Sequence, residues 1–557
     1  MLLYPFRWLR WLIGSLLART GRPPDYVTML IEEEPPALPD PPVPLWQRPF
    51  SRQRLSTKEL AERFAAIGHD ARIKGVVLHL RPVAFSMASL QDLRELIAGL
   101  RKQGKRVIAW APFYTTDTYY LACACDEILL LPTGNVMPLG FATTGMFLAD
   151  ALARVGIKAD FIQVSPYKSA ADVLTKSRMS AELREQLTWL LESIHEQLVE
   201  GIAEGRRLDA AKARELVDAS PYDDSDAVAK KVVDAVLSEE QIPQRLGAGV
   251  TLADWDQARR KMPRPAPRLR PGRYVALLRI EGTILDGRSG RPPVRPPIEF
   301  PIVGDARAGD LTVVQLARQV AHDRRAAAAV LYVNSRGGSS TASVAMYEAL
   351  ATIGARKPLV VVMGPVAGSG GYLVSMPGRW VIARPGTLTG SIGVLTGKLV
   401  TSGLWEKLTA TRETIALGKH ATIESDERPF SPEERSIVEA QVDHIYAAFM
   451  DLVASSRHLD RTAEVEPVAG GRVWTGAQAL ERKLIDELGG LDAGIAKARS
   501  LASLPDGTPA FEVQPPRKSA PPRTIPTAAA LAGYLFDGLE VLNRAPALAV
   551  MNLMTRR

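Results

Sequence analysis

Gly364-Pro365-Val366-Ala367-Gly368-Ser369-Gly370-Gly371-Tyr372-Leu373 follows directly on Leu359-Val360-Val361-Val362-Met363. The upstream run is apolar, continuous and of strand length, which predicts a buried strand. Downstream, Tyr372-Leu373-Val374-Ser375-Met376 predicts a short buried helix ending at Pro377-Gly378. A serine set between glycines at a strand-to-helix turn presents its hydroxyl to a cleft with no flanking side chain in the path of a carbonyl. The pattern is not the Gly-x-Ser-x-Gly elbow, because residue 367 is Ala where that pattern requires Gly. A tight Gly/Ser turn without chemistry has the same local signature, so the rest of the chain must decide.

Working outward, the order of elements around this stretch occurs twice. Gly75 to Leu80 and Arg106 to Trp110 predict strands, Leu90 to Leu100 a helix, Tyr119 to Cys125 a short helix and Ile128 to Leu131 a further strand. A long helix follows from Ser180, with Leu183, Leu187, Leu190, Leu191, Ile194 and Leu198 at steps of three and four. In the second half Ala328 to Val333 corresponds to 75–80, Lys357 to Val362 to Lys105–Ala109, and the helix from Ser431 to the one from Ser180. Tyr372-Leu373 falls on Tyr120-Leu121 and Gly386 on Gly134, at a common offset of 252. Ser431-Pro432-Glu433-Glu434 also carries a capping box with Pro at the first helical position. Such alternation predicts two α/β domains, each a mostly parallel sheet flanked by helices, related by internal duplication.

Composition is consistent with this. The 557 residues, 46% hydrophobic and 23% charged, suffice for several full cores. The net charge of +8 is mild, with arginines gathered in linkers and at the N-terminus. No Lys/Arg stripe interleaved with aromatics appears, which excludes a nucleic-acid groove and favours an anionic membrane surface. Cys123 and Cys125, two residues apart, read as small core residues rather than a staple or zinc site. The resulting division is an N-terminal membrane-associated segment (1–25), a Pro-rich linker (26–49), the first repeat (50–255), a Pro/Arg-rich linker (256–272), the second repeat (273–510), and a Pro-rich linker with an apolar tail (511–557). Residues 1–19 are apolar and aromatic but interrupted by Arg7 and Arg10, so they suit a helix lying in the headgroup region. An uncleaved signal-like anchor and a buried helix are the alternatives. In the tail, Leu531, Leu535, Leu539 and Leu542 fall at helical spacing, and 528–554 either packs on the body or touches membrane.

The two copies differ where chemistry would sit. At the offset of 252, Ser369 falls on Asp117, in a stretch without glycines, and Asn334-Ser335-Arg336-Gly337-Gly338-Ser339 falls near Arg81-Pro82-Val83-Ala84-Phe85. Only the second copy keeps a hydroxyl beside glycines whose N–H groups could hold an oxyanion. Conversely, Ser165-Pro166-Tyr167-Lys168-Ser169-Ala170 precedes the long helix of the first copy, and the register of Lys168 falls at His420 or Ala421 in the second. One serine and one lysine, each from a different copy, would form a Ser–Lys variant of the Ser-His-Asp arrangement. His420 is the alternative base.

These motifs make the chain resemble the long, tandemly duplicated form of the signal peptide peptidase A family, peptidase family S49, whose domains share the ClpP/crotonase-like fold. The likeness is carried by Asn334-Ser335-x-Gly337-Gly338, Ala367-x-Ser369-Gly370-Gly371-Tyr372, Leu388-Thr389-Gly390-Ser391-Ile392-Gly393 and Tyr167-Lys168-Ser169-Ala170, over about residues 55–500. Arg336, where the family usually has Pro, and Gly368, commonly Ala or Ser, are departures that remove no needed group. The resemblance implies Ser369 as nucleophile, Lys168 as general base and Ser391 as the residue orienting that lysine, with Gly337, Gly338 and Gly370 at the oxyanion. It implies no metal or organic cofactor, hydrophobic peptides such as cleaved signal peptides as substrates, and a homotetramer at the bacterial inner membrane with its catalytic body on the periplasmic side. A crotonase-like enzyme acting on acyl-CoA and a non-catalytic membrane scaffold are the rival functions.

Overall fold

The strand at the centre of the second half is longer than its apolar run, extending over Leu359–Gly368. Up to Met363 it pairs with Trp380–Ala383, and from Val366 it pairs instead with Leu388–Gly390. Gly364 and Pro365 stand at the switch, where a proline removes no ladder hydrogen bond. The strand therefore delivers Ser369 directly to the helix Gly370–Leu373, shorter than the 372–376 predicted but buried as expected.

The structure, a computed structural model, describes residues 8–9, 11–14, 18, 21–40, 54–263, 272–290, 306–515 and 548–550. It divides into two units, residues 1–142 with 194–272, and residues 143–193 with 273–557. In the first unit Ala235–Val236, Glu127–Leu130, Arg106–Ala111, Gly75–Leu80, Tyr26–Ile31 and Leu252–Asp254 lie side by side, all parallel. The second repeats this with Glu487–Leu488, Trp380–Ala383, Leu359–Gly368, Ala326–Ser335, Tyr274–Glu281 and Ala510–Glu512. Central strands are buried on both faces, which explains their continuous apolar runs.

The duplication extends to single hydrogen bonds. Lys105 Nζ donates to the carbonyls of Asp70 and Ile73, and Lys357 Nζ to those of Val320, Asp323 and Ala326, closing the same loop before the same strand. Tyr119 and Tyr372 hydroxyls donate to the Val232 and Leu484 carbonyls, and Arg206 and Arg457 pair with Asp234 and Asp486. The long helices Ala181–Arg206 and Pro432–Arg457 have 26 residues each, and the Ser431 capping box is present. Cys123 and Cys125 are free and buried, and burial pushes both thiols up, the first to about 11, so neither is a ready nucleophile.

Three boundaries are corrected. Tyr26–Ile31, placed by sequence in the linker 26–49, is an interior strand; the prolines behind that assignment begin only after it. Trp255–Arg260, which runs from the last residue of the first repeat into the linker 256–272, is a helix capped by Asp254. Residues 143–193, assigned to the first repeat, fold into the second unit, because Lys158–Gln163 pairs antiparallel over six residues with Leu395–Val400. Ile162 is buried there among Val394, Val438 and Val442, and Leu190 packs on Val473. Arg7, Arg10 and the tail leucines 531, 535, 539 and 542 lie outside the described residues.

Candidate active site

The ladder just described determines where Lys168 goes. Five residues beyond its last rung, the loop at 165–168 is tied down on the far side. Ser165 Oγ donates to the Gly470 carbonyl at 2.8 Å, and Arg472 lies 4.0 Å over the Tyr167 ring. Tyr167 stacks on Trp189, which stacks on Trp474 at 5.0 Å and donates from Nε1 to the Val473 carbonyl. Gly471 fills the remaining gap. Any side chain there would place its first carbon 2.6 Å from Lys168 Cα, and φ of +87° also favours glycine.

Lys168 is 1% exposed and Ser369 fully buried. Lys168 Nζ stands 2.7 Å from Ser369 Oγ, 2.9 Å from the Ser391 carbonyl and 3.1 Å from Ser391 Oγ. With Cε, these three oxygens give the nitrogen four close neighbours. The three predicted residues thus converge, all of them in the second unit; the expectation of a site shared between two domains is corrected accordingly. Among the described residues, the other partner of Ser369 Oγ is the Gly393 carbonyl at 3.4 Å; His420 is not a partner, and its neighbour Lys419 pairs with Glu433.

Ser369 adopts φ 54° and ψ −117°, and Ser391 φ 51°. Backbone of this kind costs on the order of 1–3 kcal/mol and persists only where surroundings over-determine it. Here Ser369 N–H donates to the Gly390 carbonyl and Ser391 N–H to the Arg472 carbonyl, at 2.8 and 2.7 Å. Burial holds the Lys168 amine well below the ordinary lysine range, and no carboxylate acts against it. A neutral amine offers two N–H groups and one lone pair. With the Ser391 oxygens taking the N–H groups, the lone pair is left for the Ser369 hydroxyl.

The glycine loop is best understood against its counterpart in the first unit. Ser86 and Ser339 each cap the following helix, so Phe85 and Gly338 are equivalent. Tyr114↔Val136 and Ala367↔Thr389 are equivalent rungs, an offset of 253 rather than 252. In the rungs Ala111↔Leu130 and Met363↔Ala383, Ala111 and Met363 are still equivalent at 252, so the register shifts by one because a residue is added between Met363 and Ala367. The counterpart of Ser369 is therefore Thr116, not Asp117, and Thr116 Oγ1 donates to Gly140 O as Ser369 Oγ does to Gly393 O. Asp117 instead matches Gly370, and its carboxylate accepts the Phe85 N–H at 2.9 Å. A side chain at Gly370 would begin 3.4 Å from the Gly338 nitrogen. What a carboxylate oxygen fills in the first unit is thus the space before the Gly338 N–H in the second, suited to an oxyanion. The Gly337 N–H is already donated to Ser335 Oγ at 3.1 Å, so this glycine serves through its backbone, at φ 96°. Sequence reasoning missed Ser335, Gly471 and Thr116; the Gly470-Gly471 pair was the available signal for the second.

This is the constellation of a hydrolase with a buried serine on a duplicated ClpP-like fold. The family model of peptidase family S49 matches residues 99–253 and again 351–505, and the Clp protease model matches 310–382. The chain is 30% identical over 468 residues to the chloroplastic serine protease SPPA of Arabidopsis thaliana, covering 81% of this chain and 66% of that one. It is 28% identical to Protease 4 of Haemophilus influenzae and 30% identical to Protease 4 of Salmonella typhi, covering 74% of each and 81% and 82% of this chain. The chain belongs to peptidase family S49 and is a serine peptidase.

A depressed lysine pKa leaves the folded protein with fewer bound protons than the unfolded chain between the two pKa values, so stability rises with pH in that window. Compared with Lys168→Met, the wild type should therefore gain stability from pH 7 towards pH 10, with a slope of up to about 1.4 kcal/mol per pH unit. Urea unfolding midpoints of the two proteins across that range measure it. Parallel curves would mean that Lys168 is charged when folded.

Proposed function

We propose that the protein is an endopeptidase working through a Ser369–Lys168 dyad on short hydrophobic peptides such as cleaved signal peptides. The observation that carries this is the 2.7 Å contact between Ser369 Oγ and a buried Lys168 amine whose pKa is depressed by burial. Ser369 Oγ attacks the scissile carbonyl while its proton passes to Lys168 Nζ. The resulting ammonium is held by Ser391 O and Oγ, and the developing oxyanion is met by the Gly338 and Gly370 N–H groups. Collapse expels the amine, which takes the proton from Lys168 and leaves an acyl ester on Ser369. Water then attacks that ester with Lys168 again as base, restoring both residues. Family membership disfavours the acyl-CoA and scaffold alternatives, and the substrate class rests on the resemblance.

Hydrolysis of an apolar fluorogenic peptide and fluorophosphonate labelling of Ser369 test the dyad. Ser369→Ala and Lys168→Ala should each lower kcat/KM by about 10³-fold or more, and to similar extents because the two act as a unit. In the wild type, kcat/KM should rise with pH through a group well below 10.4, since the neutral amine is the active form. Substantial hydrolysis by Lys168→Ala would remove the lysine from the mechanism.

The oxyanion assignment has its own test. Gly370→Asp, combined with Ser343→Ala because Ser343 Oγ lies 2.5 Å from the new Cβ, copies the first unit's carboxylate into the second. Turnover should fall by about 10²–10³-fold, the scale of a lost oxyanion donor, with the thermal midpoint nearly unchanged. Undiminished turnover would place the donors elsewhere.

We also infer attachment to a bilayer surface through the N-terminal segment. Leu9, Leu12 and Ile13 are about half exposed at helical spacing, and among the described residues no helix is long and apolar enough to cross a membrane. Deleting residues 1–19 should move the protein from the membrane pellet to the supernatant with peptidase activity retained. A truncated chain that still pellets would transfer the role to another segment.

A further inference from the structure

The glycine loop holds a charged residue that the hydrolysis mechanism does not use. Arg336 stands between Ser335 and Gly337, two residues before the oxyanion donor Gly338. Ser335 is paired with Ala367 in the parallel sheet, so Arg336 is level with Gly368, one residue short of the nucleophile Ser369. Successive side chains of an extended run alternate in direction. Ser335 Oγ is turned to the Gly282 carbonyl at 2.6 Å, so Arg336 leaves the backbone from the other face. It is half-buried, and among the described residues its guanidinium makes no hydrogen bond and no ion pair. Other partly buried arginines of this unit are matched: Arg279 pairs with Glu281 and Glu512, and Arg457 with Asp486. A guanidinium is always charged and carries its donors in a fork that fits a carboxylate. Drawing it partly out of water without a partner costs free energy that an incoming anion would recover.

Just beyond Gly338 the loop meets a charge of the opposite sign. The Asp286 carboxylate accepts from Ser339 Oγ at 2.8 Å and from Thr341 Oγ1 at 3.3 Å, and both partners are uncharged. The oxyanion glycine thus has a cation on the side before it and an anion on the side after it. A free peptide ends in an ammonium at its N-terminus and a carboxylate at its C-terminus. The polarity of the loop directs the acyl part of such a peptide towards Asp286 and its leaving part towards Arg336. Screening confines this effect to about 8–10 Å, or about three residues of extended chain.

We propose that Arg336 is a specificity residue that binds a substrate carboxylate on the leaving side of the scissile bond, within about three residues of it. This deepens the Ser369–Lys168 peptidase reading, on which it rests. The preferred substrates are short apolar peptides cut close to a free C-terminus or to an acidic side chain.

The test uses the full-length protein and three forms of one internally labelled apolar peptide: the C-terminal acid, the C-terminal amide, and the amide with a Glu next to its C-terminal residue. In the wild type, kcat/KM for the acid, for the Glu-bearing amide or for both should exceed that for the plain amide by about tenfold or more, chiefly through KM. Whichever form responds identifies the source of the carboxylate. In Arg336→Gln each ratio should fall to near one, and Arg336→Lys, which keeps the charge without the fork, should retain part of it. Because each ratio is taken within one protein, a general loss of activity in a variant cancels. Ratios near one in the wild type overturn the proposal, as do ratios that persist in Arg336→Gln. Fluorescence anisotropy of the same peptides on Ser369→Ala, with and without Arg336→Gln, reads the preference without hydrolysis. A wild type that cleaves none of the peptides while Ser369→Ala binds a carboxylate form more tightly through Arg336 overturns the peptidase mechanism and leaves the Arg336 assignment standing.

Discussion

The six-residue antiparallel ladder between Lys158–Gln163 and Leu395–Val400 is the constraint on which the site depends. Without it, residues 143–193 would have no register in the second unit and Lys168 no fixed position. The ladder supplies direction, and the loop behind it supplies distance. Ser165 on Gly470, Arg472 on Tyr167 and the Tyr167–Trp189–Trp474 stack hold Lys168 against Gly471 from the other side. A buried lysine is costly, since desolvation disfavours its charged form by about 1.4 kcal/mol for each unit of depressed pKa. The surrounding packing imposes that cost and holds the amine well below the ordinary lysine range.

Strain and satisfaction are balanced at the serine in the same way. Ser369 sits at positive φ because strand pairing ends at Gly368↔Gly390 and the next helix starts at Gly370. Its N–H caps Gly390, its helix is anchored by Tyr372 on the Leu484 carbonyl, and its hydroxyl is left facing Lys168. None of these contacts involves a charged partner. Among the described residues no carboxylate acts on the Lys168 amine, so burial alone sets the direction of its shift.

Much of this was legible in the chain. Runs such as Gly75–Leu80 and Leu359–Met363 are strands because parallel sheets covered on both faces demand unbroken apolar sequence. The long helices announced themselves by periodicity and by Ser431 with Glu434. The repeat asymmetry pointed to Ser369 and Lys168 before any geometry. What escaped was non-local. Tyr26–Ile31 was overshadowed by nearby prolines, and the transfer of 143–193 to the second unit depends on a partner strand more than 230 residues away. The role of Gly471 follows from where Lys168 Cα comes to lie, which no local pattern encodes. The one-residue shift that pairs Ser369 with Thr116 emerges from strand rungs rather than from counting.

That shift changes how the silent copy is understood. Thr116 keeps a hydroxyl at the serine position, hydrogen-bonded to the carbonyl equivalent to Gly393, so the loss of a hydroxyl is not what separates the copies. The difference is one position later, where Asp117 places a carboxylate on the Phe85 N–H while Gly370 brings no side chain to the matching N–H of Gly338. A buried N–H needs an acceptor, and in a unit with no substrate to supply one, an internal carboxylate is a stable solution. In the second unit no side chain at 370 meets that requirement, so the two copies differ here by the presence of an internal acceptor: aspartate at 117 supplies one and glycine at 370 does not.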